Sequence, residues 1–234
     1  MLTKNQFKRI LSLRKKKQRL KQALFIVEGP KVVQEFLDSN YELIEIFSIS
    51  EKYAIHKKQH TPIDLNTLQK ISTLVTPNEV LAIFKIPPPR EVDLSSLILA
   101  LDGLNNPGNL GTIIRLCDWF GIKDLVCSKT SVDCYNPKVV QAAMGSHVRV
   151  NIHYVKLELF LEGKSDTIGT FMDAKASIYD AEFPKKGVVV LGNESKGISK
   201  EVASKLKKEI AIPRFGSIKK TESLNVATAA AIIL

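Results

Sequence analysis

The sequence predicts an α/β protein in two unequal parts, a small N-terminal α/β domain and a larger C-terminal α/β domain built on a parallel sheet. Three observations carry this. Short, largely β-branched apolar runs alternate with helix-compatible segments along the whole chain. Pro87-Pro88-Pro89 marks a boundary, because three consecutive prolines continue neither a helix nor a central strand. Beyond that boundary the apolar runs are nearly continuous rather than alternating, which fits parallel strands covered on both faces.

The elements follow in order. A basic helix over the first 22 residues leads to a strand at 25–27, a helix at 30–38 and a strand at 43–49. A helical stretch near Glu51, a short helix near Leu68 and a strand at 80–86 complete a domain of residues 1–86. After a linker at 87–96, the domain 97–234 has strands at 97–101, 125–127, 148–152, 168–172, 188–191 and 210–212. Its helices begin near Asn109, Asn136, Ser199 and Ser223, the last serving as an N-cap. Ligands of such a sheet are expected beyond the carboxyl ends of its strands.

Composition excludes several classes. With 234 residues, 44% hydrophobic and 25% charged, the chain is neither disordered nor collagenous. Cys117, Cys127 and Cys134 fit no CxxC or zinc-ligand spacing and read as reduced core thiols. His56, His60, His147 and His153 stand apart from any acidic or cysteine cluster, so no metal site is expected. No apolar run approaches the ~18 residues a bilayer span needs, and no signal-peptide core follows the basic N-terminus. The expectation is a cytoplasmic protein without membrane contact.

The net charge of +10 is concentrated in two blocks. The first 22 residues hold Lys4, Lys8, Arg9, Arg14, Lys15, Lys16, Lys17, Arg19 and Lys21 with no acid. Between 196 and 220 stand Lys196, Lys200, Lys205, Lys207, Lys208, Arg214, Lys219 and Lys220 against Glu201 and Glu209. The remainder is therefore mildly acidic. Two such blocks imply a polyanion, most commonly nucleic acid.

Three Gly/Asn/Pro-rich loops join strand ends to helix starts. The first runs Leu101-Asp102-Gly103-Leu104-Asn105-Asn106-Pro107-Gly108-Asn109-Leu110-Gly111 and leads to Arg115. The second is Leu191-Gly192-Asn193-Glu194-Ser195-Lys196-Gly197-Ile198-Ser199, and the third joins Ile212-Pro213-Arg214-Phe215-Gly216 to Glu222-Ser223-Leu224-Asn225. The phosphate-loop spacing occurs at Gly187 to Gly192 and at Gly192 to Gly197. Each lacks the Lys and Ser/Thr that must follow, and no GxGxxG is present.

Together these loops resemble the three motifs of the SpoU (TrmH-type) family of RNA 2′-O-ribose methyltransferases, of the SPOUT class. The match covers about 97–234, and the earlier residues resemble that family's N-terminal RNA-binding domain, including Phe25-Ile26-Val27-Glu28-Gly29. The resemblance implies a C-terminal domain tied in a deep trefoil knot. It implies S-adenosylmethionine as cofactor, held by Gly192, Ile212, Leu224, Asn193 and Gly197, with Asn193 shaping the loop. A missing Cβ at Gly192 would let main chain approach the ligand. It further implies a catalytic group of Arg115, Asn109, Glu194, Asn225 and Ser223. Arg115 would approach the ribose 2′-hydroxyl and adjacent phosphate, with Glu194 accepting from it or from backbone. Because a guanidinium stays protonated, Arg115 orients and stabilises an alkoxide rather than acting as a free base.

The partners implied are structured ribosomal or transfer RNA and a second copy of the chain, paired through the knotted domain with Trp119, Phe120 and the terminal helix in the interface. Lys8, Arg9, Arg14, Lys15, Lys16, Lys17 and Arg19 would contact RNA phosphates. The sequence departs from the family pattern in the third motif, where Arg214-Phe215 and a basic loop from Gly216 to Glu222 with Ser217, Lys219 and Lys220 intervene. It also stops at Ile232-Ile233-Leu234 without a helix-stop signal, so the natural protein is expected to continue, or this end to lie in a partner subunit. The reading is an S-adenosylmethionine-dependent RNA 2′-O-methyltransferase. The alternative is an RNA-binding or ribosome-assembly protein that keeps the fold without catalysis.

Overall fold

The computed structural model describes residues 2–216, 218 and 223–234. The chain forms α1 (Lys4–Ser12), α2 (Lys16–Gln22), β1 (Leu24–Glu28), α3 (Pro30–Leu37), β2 (Leu43–Ser48), β3 (His60–Pro62), α4 (Leu65–Ile71) and β4 (Val80–Lys85). It continues with β5 (Leu97–Leu101), α5 (Pro107–Phe120), β6 (Asp124–Ser128), α6 (Pro137–Ala143), β7 (Asn151–Val155), α7 (Leu157–Leu161) and β8 (Thr167–Thr170). The last elements are β9 (Ala176–Ser177), β10 (Gly187–Leu191), α8 (Lys200–Ala203), β11 (Lys208–Ala211) and α9 (Val226–Ile233). Two compact units result. One holds the residues up to Pro88 with Asp133–Val148, the other Pro89–Val132 with Arg149–Leu234.

In the first unit, a four-stranded sheet has the order β1-β4-β2-β3, with β4 antiparallel to both neighbours and β2 parallel to β3. Period-2 alternation sends Phe25 and Val27 to one core with Phe36 and Phe84, and Ile26 to another with Ile10, Leu13, Phe47, Leu68 and Leu81. The expected single basic helix is two. At the end of α1, Arg19 from α2 donates through Nη1 to the carbonyls of Leu13 (2.8 Å) and Arg14 (2.9 Å), satisfying acceptors that a continuous helix would have used.

Residues 133–148 depart from the expected division of the chain. This stretch lies within the range 97–234 yet packs in the first unit, because its side chains complete that unit's core. Val140 is buried in the Phe25 cluster, Met144 and Val148 pack against it, and the Tyr135 ring centroid lies 4.6 Å from that of Phe25. Arg19 is 1% exposed and bonds Asp133 Oδ2 through Nε (2.9 Å) and Nη2 (2.5 Å).

The second unit is a seven-stranded sheet of order β7-β6-β5-β10-β8-β11-β9, every neighbouring pair parallel. Ile98, Ala100, Val126, Val188 and Val190 share a core with Leu157, Leu161 and Val202. Helix α5 packs against α9 and buries Leu110, Ile113, Ile114 and Cys117. Burial pushes the Cys117 thiol up to about 12, so it is an inert core group. The strand expected at 148–152 lies at Asn151–Val155, because Ser146–Val148 form a 3₁₀ turn. Chain order runs outward from β5 through β6 to β7 on one side and through β10 on the other. The switch point between β5 and β10 is where such sheets open a crevice.

Candidate active site

Strands β5 and β10 end in register, Leu101 opposite Leu191, so the first two motif loops leave the same edge of the second unit side by side. Asp102 N–H donates to the Leu191 carbonyl at 2.9 Å, extending the ladder by one bond. The second loop then closes on itself. Asn193 and Gly197 exchange two backbone hydrogen bonds of 2.9 Å, and Asn193 Oδ1 accepts from the N–H groups of Ser195 (3.0 Å) and Lys196 (3.1 Å). Gly197 holds φ +67°, a conformation that favours glycine. Asn193 Nδ2 donates to the Gly103 carbonyl at 2.7 Å and so ties the second loop to the first.

This closure gives a further reason for glycine at 192. A Cβ there would meet Gly197 C at 2.2 Å and Ile198 N at 2.4 Å. That space is filled by the protein's own main chain.

The three motifs meet through one side chain. Asn109, in the first turn of α5, donates through Nδ2 to Glu194 Oε1 at 2.9 Å and accepts through Oδ1 from Asn225 Nδ2 at 2.9 Å. Asn225 Oδ1 in turn accepts from the N–H groups of Ala227 (2.9 Å) and Thr228 (3.2 Å), capping α9. An amide suits the middle of this relay because it donates at one end and accepts at the other. Asn225, rather than Ser223, is therefore the cap. Ser223 is exposed and makes no hydrogen bond among the described residues.

Arg115 occupies the exposed stripe of α5 with Gly108, Thr112 and Trp119, and has no hydrogen-bond or ion-pair partner among the described residues. Glu194 was expected to accept from backbone or Arg115. It accepts from Asn109 and, at 3.4 Å, from Asn193 Nδ2 instead, which leaves the guanidinium unengaged. Gly192, Ile212 and Leu224 lie at or beyond strand ends, and their backbone N–H and C=O groups have no partner among the described residues. Free main-chain donors and acceptors beside the half-exposed Leu224 side chain suit a planar heterocycle with a polar edge, so these residues fit the adenine of S-adenosylmethionine. Of the basic loop in the third motif, Ser217, Lys219, Lys220 and Glu222 lie outside the described residues, as does Thr221.

The basic N-terminal block divides by residue type. Arg19 is buried against Asp133, Arg14 donates through Nη2 to the carbonyls of Ile71 (3.1 Å) and Ser72 (2.9 Å) at the end of α4, and Arg9 pairs with Glu45. These arginines hold the unit together, and the expectation that Arg19 contacts RNA is overturned by its burial. Their planar forks suit fixed carbonyl and carboxylate partners. Lys8, Lys15, Lys16 and Lys17 are exposed, with no side-chain ion pair among the described residues. Among the described residues no group of three or more His, Cys, Asp or Glu gathers to hold a metal, and no helix is long and apolar enough to cross a membrane.

Residues 96–234 match the model of the SpoU rRNA methylase family. The chain belongs to that family. Residues 4–82 match the MRM3-like substrate binding domain. The chain is 30% identical over 232 residues to the 23S rRNA (guanosine(2553)-2'-O)-methyltransferase of Bacillus subtilis, covering 95% of this chain and 91% of that protein. A solved TrmH-family protein from Porphyromonas gingivalis shares 37% identity at a TM-score of 0.88, covering 100% of this chain and 96% of that one. An AdoMet-bound rRNA methyltransferase from Sinorhizobium meliloti shares 26% identity at a TM-score of 0.87, covering 100% and 94%. What sequence reasoning missed in this SpoU site is how the loops are fastened, through Asp102 and Gly103.

Proposed function

We propose that the chain transfers a methyl group from S-adenosylmethionine to a ribose 2′-hydroxyl of ribosomal RNA. The observation that carries this is the Asn109 relay, which links all three motifs of a SpoU family member and leaves Arg115 unengaged on the neighbouring helix face. When bound, the cofactor supplies a methyl group on a positively charged sulfur, a good leaving group. The chain's own task is then alignment and control of charge. Gly192, Ile212 and Leu224 offer main-chain contacts, while Asn193 and Gly197 keep the loop closed. Arg115 engages the RNA phosphate and steadies the developing alkoxide.

Lys8, Lys15, Lys16 and Lys17 grip RNA phosphates without reading sequence. We assign the second unit a trefoil knot, a reading supported by family membership and by β10 lying between β5 and β8. A homodimer is supported by Trp119 (83% exposed), Phe120 (43%) and Ile232 (42%) on the paired helices α5 and α9. Action in the cytoplasm accords with the ribosomal substrates that the relatives' names carry. Against a catalytically silent assembly factor stands the complete relay.

The test is incubation with labelled S-adenosylmethionine and total RNA, followed by nucleoside analysis and mapping. A 2′-O-methylated nucleoside in ribosomal RNA is expected. Cofactor binding without transfer to any RNA would overturn the enzymatic reading.

A further inference from the structure

We propose that Asp102 is a positioning residue that holds both ends of the 192–198 loop and thereby sets the affinity for the cofactor. The inference rests on that loop forming part of the cofactor site. Asp102 follows the last residue of β5 and is buried, 7% exposed. Its N–H holds the residue at which the loop begins, through the Leu191 carbonyl at 2.9 Å. Its side-chain Oδ2 holds the residue at which the loop ends, accepting from Ser199 N–H at 2.8 Å and Ser199 Oγ at 2.6 Å.

Ser199 stands just before α8, where a serine hydroxyl ordinarily caps the helix. Here it makes no capping bond and turns to Asp102 instead. A buried carboxylate is tolerated when charge-assisted donors meet it, and Ser199 brings two. Between the two anchors the loop bends so tightly that only glycine fits at 192. Without the clasp, the closed form that presents Gly192 is one member of a wider ensemble. Apparent cofactor affinity then falls by the fraction of molecules in the closed form, whereas a saturated site is closed and turns over normally.

Asp102→Ala is therefore expected to raise the KM for S-adenosylmethionine by about ten-fold or more, with kcat at saturating cofactor within roughly three-fold of wild type. Ser199→Ala, which keeps the N–H donor, gives a smaller rise, and Ser199→Thr restores most of it by returning a hydroxyl. The double variant Asp102→Ala with Ser199→Ala is no worse than Asp102→Ala alone, as expected of one coupled pair. A general loss of stability would lower kcat and active fraction instead of splitting KM from kcat. Amide hydrogen exchange of 192–198 is measured alongside, without cofactor, on Ser199→Ala and on Asp102→Ala if it folds. Faster exchange confined to this loop supports the clasp even if the wild-type chain binds no S-adenosylmethionine, an outcome that would remove only the cofactor reading. Unchanged exchange in Ser199→Ala, or unchanged KM in folded Asp102→Ala, overturns the proposal.

Discussion

Replacing Asn109 by Asp changes one atom of the relay, putting an oxygen where Nδ2 now donates to Glu194 at 2.9 Å. The bond to Asn225 survives, since Oδ1 still accepts from its amide. Losing a hydrogen bond to a charged group costs about 1.5–3 kcal/mol. Two facing carboxylates add repulsion, from about 1 kcal/mol in bulk water to ~6 kcal/mol at an effective dielectric of ~20. The site is half-buried, so the lower part of that range applies, and kcat/KM at pH 8 should fall by about a hundred-fold. The sign of the pH dependence is distinctive. Close carboxylates retain one shared proton at pH values where a single one has lost it, and that proton recreates a donor between positions 109 and 194. Activity of the Asp variant should therefore recover as pH falls from ~8 towards ~5.5, relative to wild type at each pH. The assay is single-turnover transfer of labelled methyl to RNA, with RNA affinity measured separately and expected within roughly two-fold of wild type. A variant as active as wild type at pH 8, or a deficit that acid does not relieve, would refute the role given to this amide.

Gly192→Ala places a methyl 2.2 Å from Gly197 C, so the loop cannot close, and calorimetry should detect no cofactor binding to a chain that remains folded. Arg19→Ala strands the Asp133 carboxylate in the interior and should lower stability by about 3–5 kcal/mol in urea unfolding. Neutralising Lys15, Lys16 and Lys17 should weaken RNA binding across sequences and flatten its salt slope by ~0.7–0.9 per lost phosphate contact in filter binding. His147 is fully buried, donates through Nε2 to the Cys134 carbonyl, and is held down to about 4 by desolvation. The unfolded chain binds the proton more readily, so this stability is complete above pH ~6.5 and drains away as pH falls towards 4. Melting curves of wild type and His147→Gln should converge over that interval.

The strands and the three motif loops were legible because burial on both faces leaves continuous apolar runs, and because glycine and asparagine mark the turns that follow them. The edges were less so. Val148 and Val150 alternate with Arg149 as strand residues would, yet a 3₁₀ turn takes up Ser146–Val148 and β7 begins only at Asn151, and only tertiary packing distinguishes the two. Asn109 and Asn225 were visible as motif members, but that Asn109 sits between Glu194 and Asn225 depends on contacts spanning 85 and 116 residues. The basic N-terminus misled in part for a simple reason. Composition records charge and not direction, so Arg19 and Lys17, two residues apart on a helix, look equivalent in sequence while one faces the interior and the other water.

The loan of residues 133–148 to the first unit has a consequence for how the protein is made. When Pro88 has left the ribosome, the aromatic core around Phe25 still lacks Tyr135, Val140 and Met144, and Arg19 still lacks Asp133. At ~5–20 residues per second, the missing stretch follows roughly 3–12 s later. During that interval the nascent N-terminal part is unfinished, and its closure waits on a segment encoded inside the catalytic half. A gene cut at the proline linker would thus yield two fragments, each wrong for a different reason: one missing a wall of its core, the other carrying that wall exposed.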